Sequence, residues 1–172
     1  AFLSLDKINS ISLNAGDKVL LEKGSVFENQ FLHLKACGDI NGEAIEIASY
    51  GEGEDMPCIS ANGQGIWYQD YGKKLDSPHH VYRGNVSSAI LLYDVENIII
   101  RDIEIVNKDI SRDTDYSAAD KMDRTGVAVV AQNRGTLHNI ILENLYIHDV
   151  NGNVYNKHMN NGGIYMTCFK PD

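Results

Sequence analysis

The residues with the greatest capacity for chemistry lie in two polar loops. One carries Asn156-Lys157-His158-Met159-Asn160-Asn161-Gly162-Gly163, which gathers a cation, an imidazole and three amides beside two glycines. An amide donates and accepts at once, which suits sugar hydroxyls. The structural alternative is a loop whose amides satisfy neighbouring backbone. The other loop, residues 108–125, ends in Asp123-Arg124-Thr125 immediately before an apolar strand. Asp123 and Arg124 read either as a pair facing a ligand or as an ion pair that caps the loop. Together with Gln132, the residues expected to touch a sugar are Asp123, Arg124, Lys157, His158, Asn160 and Asn161.

The same loop holds Asp113, Asp115, Asp120 and Asp123. Ca²⁺ takes six to eight oxygens, and four carboxylates could begin such a shell. The spacing is not that of an EF-hand, and a solvated acidic loop accounts for it better, so no cofactor is expected and Ca²⁺ is the alternative. His148-Asp149 could move a proton, or could simply cap a turn. Trp67, Tyr68, Tyr71, His79, His80 and Tyr82 make residues 66–82 rich in aromatic rings, which either stack on sugars or fix a loop to the body of the protein. Gly-rich phosphate loops, GxSxG and HExxH are absent from the sequence, which removes support from nucleotide enzymes and zinc peptidases.

The elements that must hold these loops are short strands. Lys18–Glu22, Phe31–Leu34, Ala44–Ala48 and Cys58–Ser60 are apolar runs divided by Gly, Asn and Asp. Helix signal is confined to one or two turns within Phe2–Asn9. The second half then repeats itself. Val95–Ile105 aligns with Leu137–Ile147 at an offset of 42, matching Asn97 with Asn139, Ile100 with Leu142 and Asp102 with Asn144. A second series, Ala89–Leu92, Gly126–Val129 and Gly163–Met166, recurs at an offset of 37. The difference of five is an insertion around Asn133–Leu137.

A unit of three short strands cannot bury its own apolar side, whereas stacked units can. Alternation puts Ile90, Val127, Ile164, Leu92, Val129 and Met166 inside and points Leu91, Ala128, Tyr165, Tyr93, Val130 and Thr167 outward. Asp102 and Asn144 fall where the chain must turn, and short Asx side chains tolerate left-handed backbone. The expected fold is all-β, a right-handed parallel β-helix with long loops. Residues 1–87 would form N-terminal coils with the aromatic-rich insertion, and residues 88–172 repeated coils of which the last is incomplete. An antiparallel sandwich also has many short strands but does not explain repeats that keep register.

Composition agrees with a folded domain and narrows the partners. The chain has 172 residues, 43 % of them hydrophobic and 23 % charged, which suits one domain. Its net charge of −9 repels phosphate backbones, so no nucleic acid is expected. No apolar run nears the roughly 20 residues that cross a bilayer, so no membrane insertion is expected. Cys37, Cys58 and Cys168 are too scattered for a disulfide framework or a zinc site and are expected as small buried thiols.

Three stretches carry a family resemblance: Leu5-Asp6-Lys7-Ile8-Asn9, Ala15-Gly16-Asp17-Lys18-Val19-Leu20-Leu21, and Gly42 through Gly53. They resemble the N-terminal coils of right-handed parallel β-helix carbohydrate-active enzymes. Asp123-Arg124-Thr125-Gly126-Val127-Ala128 and Asn153 through Tyr165 look most like bacterial lacto-N-biosidases of the β-helix type. The resemblance implies hydrolysis of a β-glycosidic bond in oligosaccharides by two aspartates. Neither aspartate matches a position here, so the catalytic pair is expected on coils after Asp172. The implied protein is an extracellular or cell-surface glycosidase in which this chain forms part of the substrate-binding wall. Alone the chain would be inactive, and a second polypeptide would supply the remaining coils. The competing readings are a polysaccharide lyase on the same fold and a glycan-binding solenoid without activity.

Overall fold

A computed structural model describes residues 3–70, 83–108, 122–152 and 161–168. One short helix, α1 (Asp6–Asn9), opens the chain. The first half supplies six strands: β1 (Lys18–Glu22), β2 (Val26–Glu28), β3 (Leu32–Lys35), β4 (Ile45–Tyr50), β5 (Cys58–Ser60) and β6 (Ile66–Asp70). Five longer ones follow: β7 (Arg83–Tyr93), β8 (Ile98–Asn107), β9 (Asp123–Ala131), β10 (Ile140–Val150) and β11 (Gly162–Cys168). β1 and β5 have the bounds expected from the sequence, and β7 runs across the expected division at 87/88.

Among the described residues the strands form two sheets, and every pairing is parallel except that of β6 with β7. One sheet runs β11-β9-β7-β3, and the other joins β1, β4, β8, β5 and β2 with β10 also on β8. This all-β, mostly parallel arrangement is compatible with a solenoid. The offset of 42 is the register of β10 on β8, where Ile98 pairs with Ile140 and Ile105 with Ile147. The offset of 37 is the register of the other sheet, where Ile90 pairs with Val127 and Val127 with Ile164.

Asp102 and Asn144 do what their positions suggested. Both have left-handed backbone, at φ 60° and 46°. Residues before Asp102 pair with β4 and residues after it with β5, so one strand serves two directions of the sheet. The Nδ2 of Asn144 donates to Oδ1 of Asp102 at 2.7 Å, which ties the bends of successive repeats together. Asn97 and Asn139, also left-handed, stack in the same way one corner earlier.

Leu32, Ile45, Ile47, Ile59, Ile90, Leu92, Ile98, Ile100, Ile103, Ile105 and Val127 share one buried cluster. Two placements need correction. Leu91, Ala128 and Val130 lie on the opposite side from that cluster, as alternation requires, but they are fully buried. β6 pairs antiparallel with the start of β7, and its Trp67 packs with Leu91, Ala128 and Val130 in a second cluster. The indole Nε1 donates to Ser88 Oγ at 2.9 Å, so Trp67 fixes its segment to the body of the protein. Ile164 and Met166, expected inside, are 49 % and 59 % exposed. Among the described residues β11 pairs with β9 alone, so nothing covers their far side. Cys37 and Cys58 are buried, whereas Cys168 is exposed on that same outer strand. Among the described residues no helix is long and apolar enough to cross a membrane.

The five-residue insertion is held by Asp94, which is left-handed at φ 55°. Its carboxylate accepts from the backbone N–H groups of Gln132 and Asn133 at 2.7 and 2.9 Å and from Asn133 Nδ2 at 2.7 Å. Burial pushes the Asp94 carboxyl up, but these donors outweigh it and hold the group below the usual carboxylate range.

Two outcomes follow for stability. Ile100→Ala should cost roughly 2–5 kcal/mol in denaturant unfolding, as a fully buried aliphatic side chain lost from a packed core. Leu142→Ala should cost less, because Leu142 is only partly buried on the outer strand β10. Asp94 has a depressed folded-state pKa, so its contribution is present above the unfolded value, roughly 3.9, and disappears as pH falls through the folded value. The difference in melting temperature between the parent and Asp94→Asn should therefore be large at pH 7 and shrink below about pH 4.

Candidate functional site

The ends of β8 and β10 and the starts of β7, β9 and β11 meet along one edge. Val86 pairs with Asp123, Ser87 with Arg124, Ser88 with Thr125, and Thr125 with Gly162. Parallel pairing of equivalent strands thus sets the roots of the two polar loops side by side. The close approach depends on Gly126. A Cβ there would come within 2.5 Å of the Ile147 side chain and 2.6 Å of the Gly163 carbonyl oxygen.

Beneath this edge lies a buried polar layer. Asn107, fully buried at the end of β8, is its organiser. Its Oδ1 accepts from the Gly63 N–H at 2.8 Å, and its Nδ2 donates to the Thr125 carbonyl at 2.9 Å and to Ser87 Oγ at 3.1 Å. One amide thereby ties the turn after β5 to the starts of β7 and β9. Ser88 Oγ and Thr125 Oγ1 lie 2.7 Å apart and continue the layer to Trp67. His33 reaches it from β3, with Nε2 at 2.9 Å from the Ser88 carbonyl. That contact needs a proton on Nε2 only, and burial lowers the His33 pKa to about 4, so the ring is a neutral donor.

Arg124 lies over Gly63, where a Cβ would meet its guanidinium at 2.9 Å. Its backbone N–H donates to Asn161 Oδ1 at 2.9 Å, which joins the roots of the two loops directly. Asp123 and Arg124 are 3 % and 8 % exposed. The structure therefore brings Asp123, Arg124 and Asn161 together, with the Asn161 carbonyl oxygen engaged by backbone. Lys157, His158 and Asn160 lie outside the described residues, as do Asp113, Asp115 and Asp120 of the suggested Ca²⁺ group. Among the described residues no group of three His, Cys, Asp or Glu side chains is placed to hold a metal ion. Gln132 is not part of this edge. It follows β9, at the other end of the strand from Asp123, roughly 30 Å away at a rise of about 3.3 Å per residue. His148 meets two carboxylates, Glu104 Oε1 at 3.0 Å from Nε2 and Asp149 Oδ2 at 3.3 Å from Nδ1, so the pairing with Asp149 is only half of its surroundings.

Asn107, Ser87 and Ser88 were not singled out from the sequence. The only signal was position: Asn107 is the last residue of an apolar strand before a long loop, and the two serines precede the apolar core of Ala89–Leu92. Chemically, the edge offers a buried amide, hydroxyls and a guanidinium, a donor-rich base beneath the roots of the two polar loops.

No family model matches the chain. A lacto-N-biosidase of Bifidobacterium longum subsp. longum is 42 % identical to it over 190 residues. The crystal structure of the native GH136 lacto-N-biosidase from Eubacterium ramulus superposes with a TM-score of 0.89 at 61 % identity, and its selenomethionine derivative with 0.88 at 61 %. Each match covers 98 % of this chain. The chain spans 12 % of the Bifidobacterium protein and 27 % of the Eubacterium chain, so it is similar along nearly its whole length to a segment of lacto-N-biosidases.

Proposed function

We propose that the chain is part of a glycoside hydrolase that acts on oligosaccharides, with lacto-N-biosidase-like specificity. The observation that carries this reading is the 61 % identity and TM-score of 0.89 over 98 % of the chain. In this reading the parallel strands are coils of a right-handed parallel β-helix. The loop edge built on Asn107, Arg124 and Asn161 is part of the wall that faces substrate, with Asp123, Lys157, His158 and Asn160 beside it. Gln132, at the far end of β9, is left out of that wall. The catalytic carboxyl groups belong to further coils, on the same or a second polypeptide. The half-exposed Ile164 and Met166 on β11 support this, because a further coil would bury them. An extracellular or cell-surface location, where oligosaccharides are met, goes with the reading, and no cofactor is needed for it. The lyase and the non-catalytic solenoid are not favoured by the relatives, whose names describe a glycosidase.

The intact protein, incubated with oligosaccharides that contain lacto-N-biose at the non-reducing end, should release a disaccharide and a new reducing end. Unsaturated products absorbing in the ultraviolet would instead identify a lyase, and binding without either product would identify a lectin-like solenoid. His158→Ala and Asn160→Ala should each lower kcat/KM by roughly tenfold or more while the melting temperature stays within about a degree. A tenfold loss corresponds to ~1.4 kcal/mol of transition-state stabilisation. Matching losses of stability and activity would assign these residues to the scaffold.

A further inference from the structure

The outward side of the sheet formed by β2, β5, β8 and β10 differs from the other outer surfaces. Register lines up Val26, Cys58, Glu104 and Tyr146 as one row across four strands. Glu28, Ser60, Val106 and His148 form the next row, while Phe27, Ile59, Ile105 and Ile147 between them face the core. β5 contributes the two smallest side chains, Cys58 and Ser60, which lie between Glu28 of β2 on one side and Glu104, Tyr146 and His148 of β8 and β10 on the other. A groove of about 660 Å³ results, within the range of roughly 300–1,000 Å³ typical of small-ligand sites.

Its polar groups are held in place before any ligand arrives. Glu28 accepts from Asn62 Nδ2 at 2.6 Å, and Glu104 is bonded to His148 at 3.0 Å. Tyr146 stacks on His148 with ring centres 4.3 Å apart and planes 28° from parallel, yet Tyr146 remains 58 % exposed. Burial, with the Glu104 charge beside it, pushes the Cys58 thiol up to about 12, so the floor is neutral. The turn before β5 adds Glu54 and Asp55 to the wall, and Lys108 stands at the end nearest the loop edge.

We propose that this groove is a second saccharide-binding site, separate from the loop edge at Arg124 and selective for neutral sugars. The proposal rests on the oligosaccharide reading above for the class of ligand. Ordered carboxylates and a serine hydroxyl exchange hydrogen bonds with sugar hydroxyls. An exposed ring fixed by stacking presents a flat apolar surface for the C–H side of a pyranose at little ordering cost. The carboxylates repel uronic, sialylated and sulfated glycans. A groove on this side would hold a second stretch of a long glycan, or a neighbouring chain, while the loops engage the end to be cut.

The test uses the intact protein and lactose as probe, followed by isothermal titration. Tyr146→Ala and Glu28→Gln should each weaken lactose binding at least fivefold, with melting temperature and hydrolysis of a short oligosaccharide substrate unchanged. Two variants on opposite rims guard against a local folding defect in either. Lactose binding equal to the parent in both variants would overturn the proposal. So would hydrolysis that falls in step with binding, which would make the groove part of the catalytic cleft, or spermine binding at this groove in place of lactose. If lactose binding depends on Tyr146 but no oligosaccharide is hydrolysed, the groove stands and the glycosidase reading falls.

Discussion

When Ile98 pairs with Ile140 and Ile105 with Ile147, the aliphatic side chains of one repeat are buried because the next repeat lies against them. Each repeat is too thin to enclose a core alone. Parallel pairing therefore sets which side chains are inside, where the chain bends and where the loops emerge. The Asx residues at the corners serve that pairing. Asp102 and Asn144 accept left-handed backbone that a β-branched residue would resist, and their side chains bond to each other between repeats.

The same constraint explains the loop edge. Loops of different length and composition start from equivalent strand ends, so pairing at Thr125 and Gly162 places their roots together whatever follows. Asn107 then anchors the edge from below with bonds to three segments. A buried amide in this position is stabilising only while every partner is present, which makes the layer a rigid base instead of an adaptable one. Function that depends on positioned hydroxyl recognition gains from such a base.

Much of this was legible because it is periodic. Offsets of 42 and 37 could be read from Asn97 and Asn139 or from Val127 and Ile164, and the structure uses both as strand register. What the repeats did not contain was harder to read. Ile66–Asp70 has no counterpart elsewhere in the chain, so its strand character was hidden behind its aromatic content, and with it the cover over Leu91, Ala128 and Val130. Asn107 was missed for a different reason: its importance lies in contacts to Gly63, Ser87 and Thr125, which are distant in sequence and share no motif. Among the candidate site residues, Asp123, Arg124 and Asn161 came together because all sit at strand starts. Gln132 did not, because it sits beyond a strand end, and strand direction separates the two by the full length of β9.

The spacing between partner strands also governs how such a chain reaches its folded state. Parallel partners are separated by 28 residues from Val19 to Ile47 and by 58 from Leu32 to Ile90, so almost no sheet contact is local. Closing a loop of that size loses chain entropy before any pairing compensates for it, and high contact order slows folding. The first two repeats to meet therefore face the highest barrier, and each later one adds to a surface already in register. Growth along the stack, not collapse from all sides, is the route that this geometry favours, and the antiparallel hairpin of β6 and β7, with its short separation, is the natural place for it to begin.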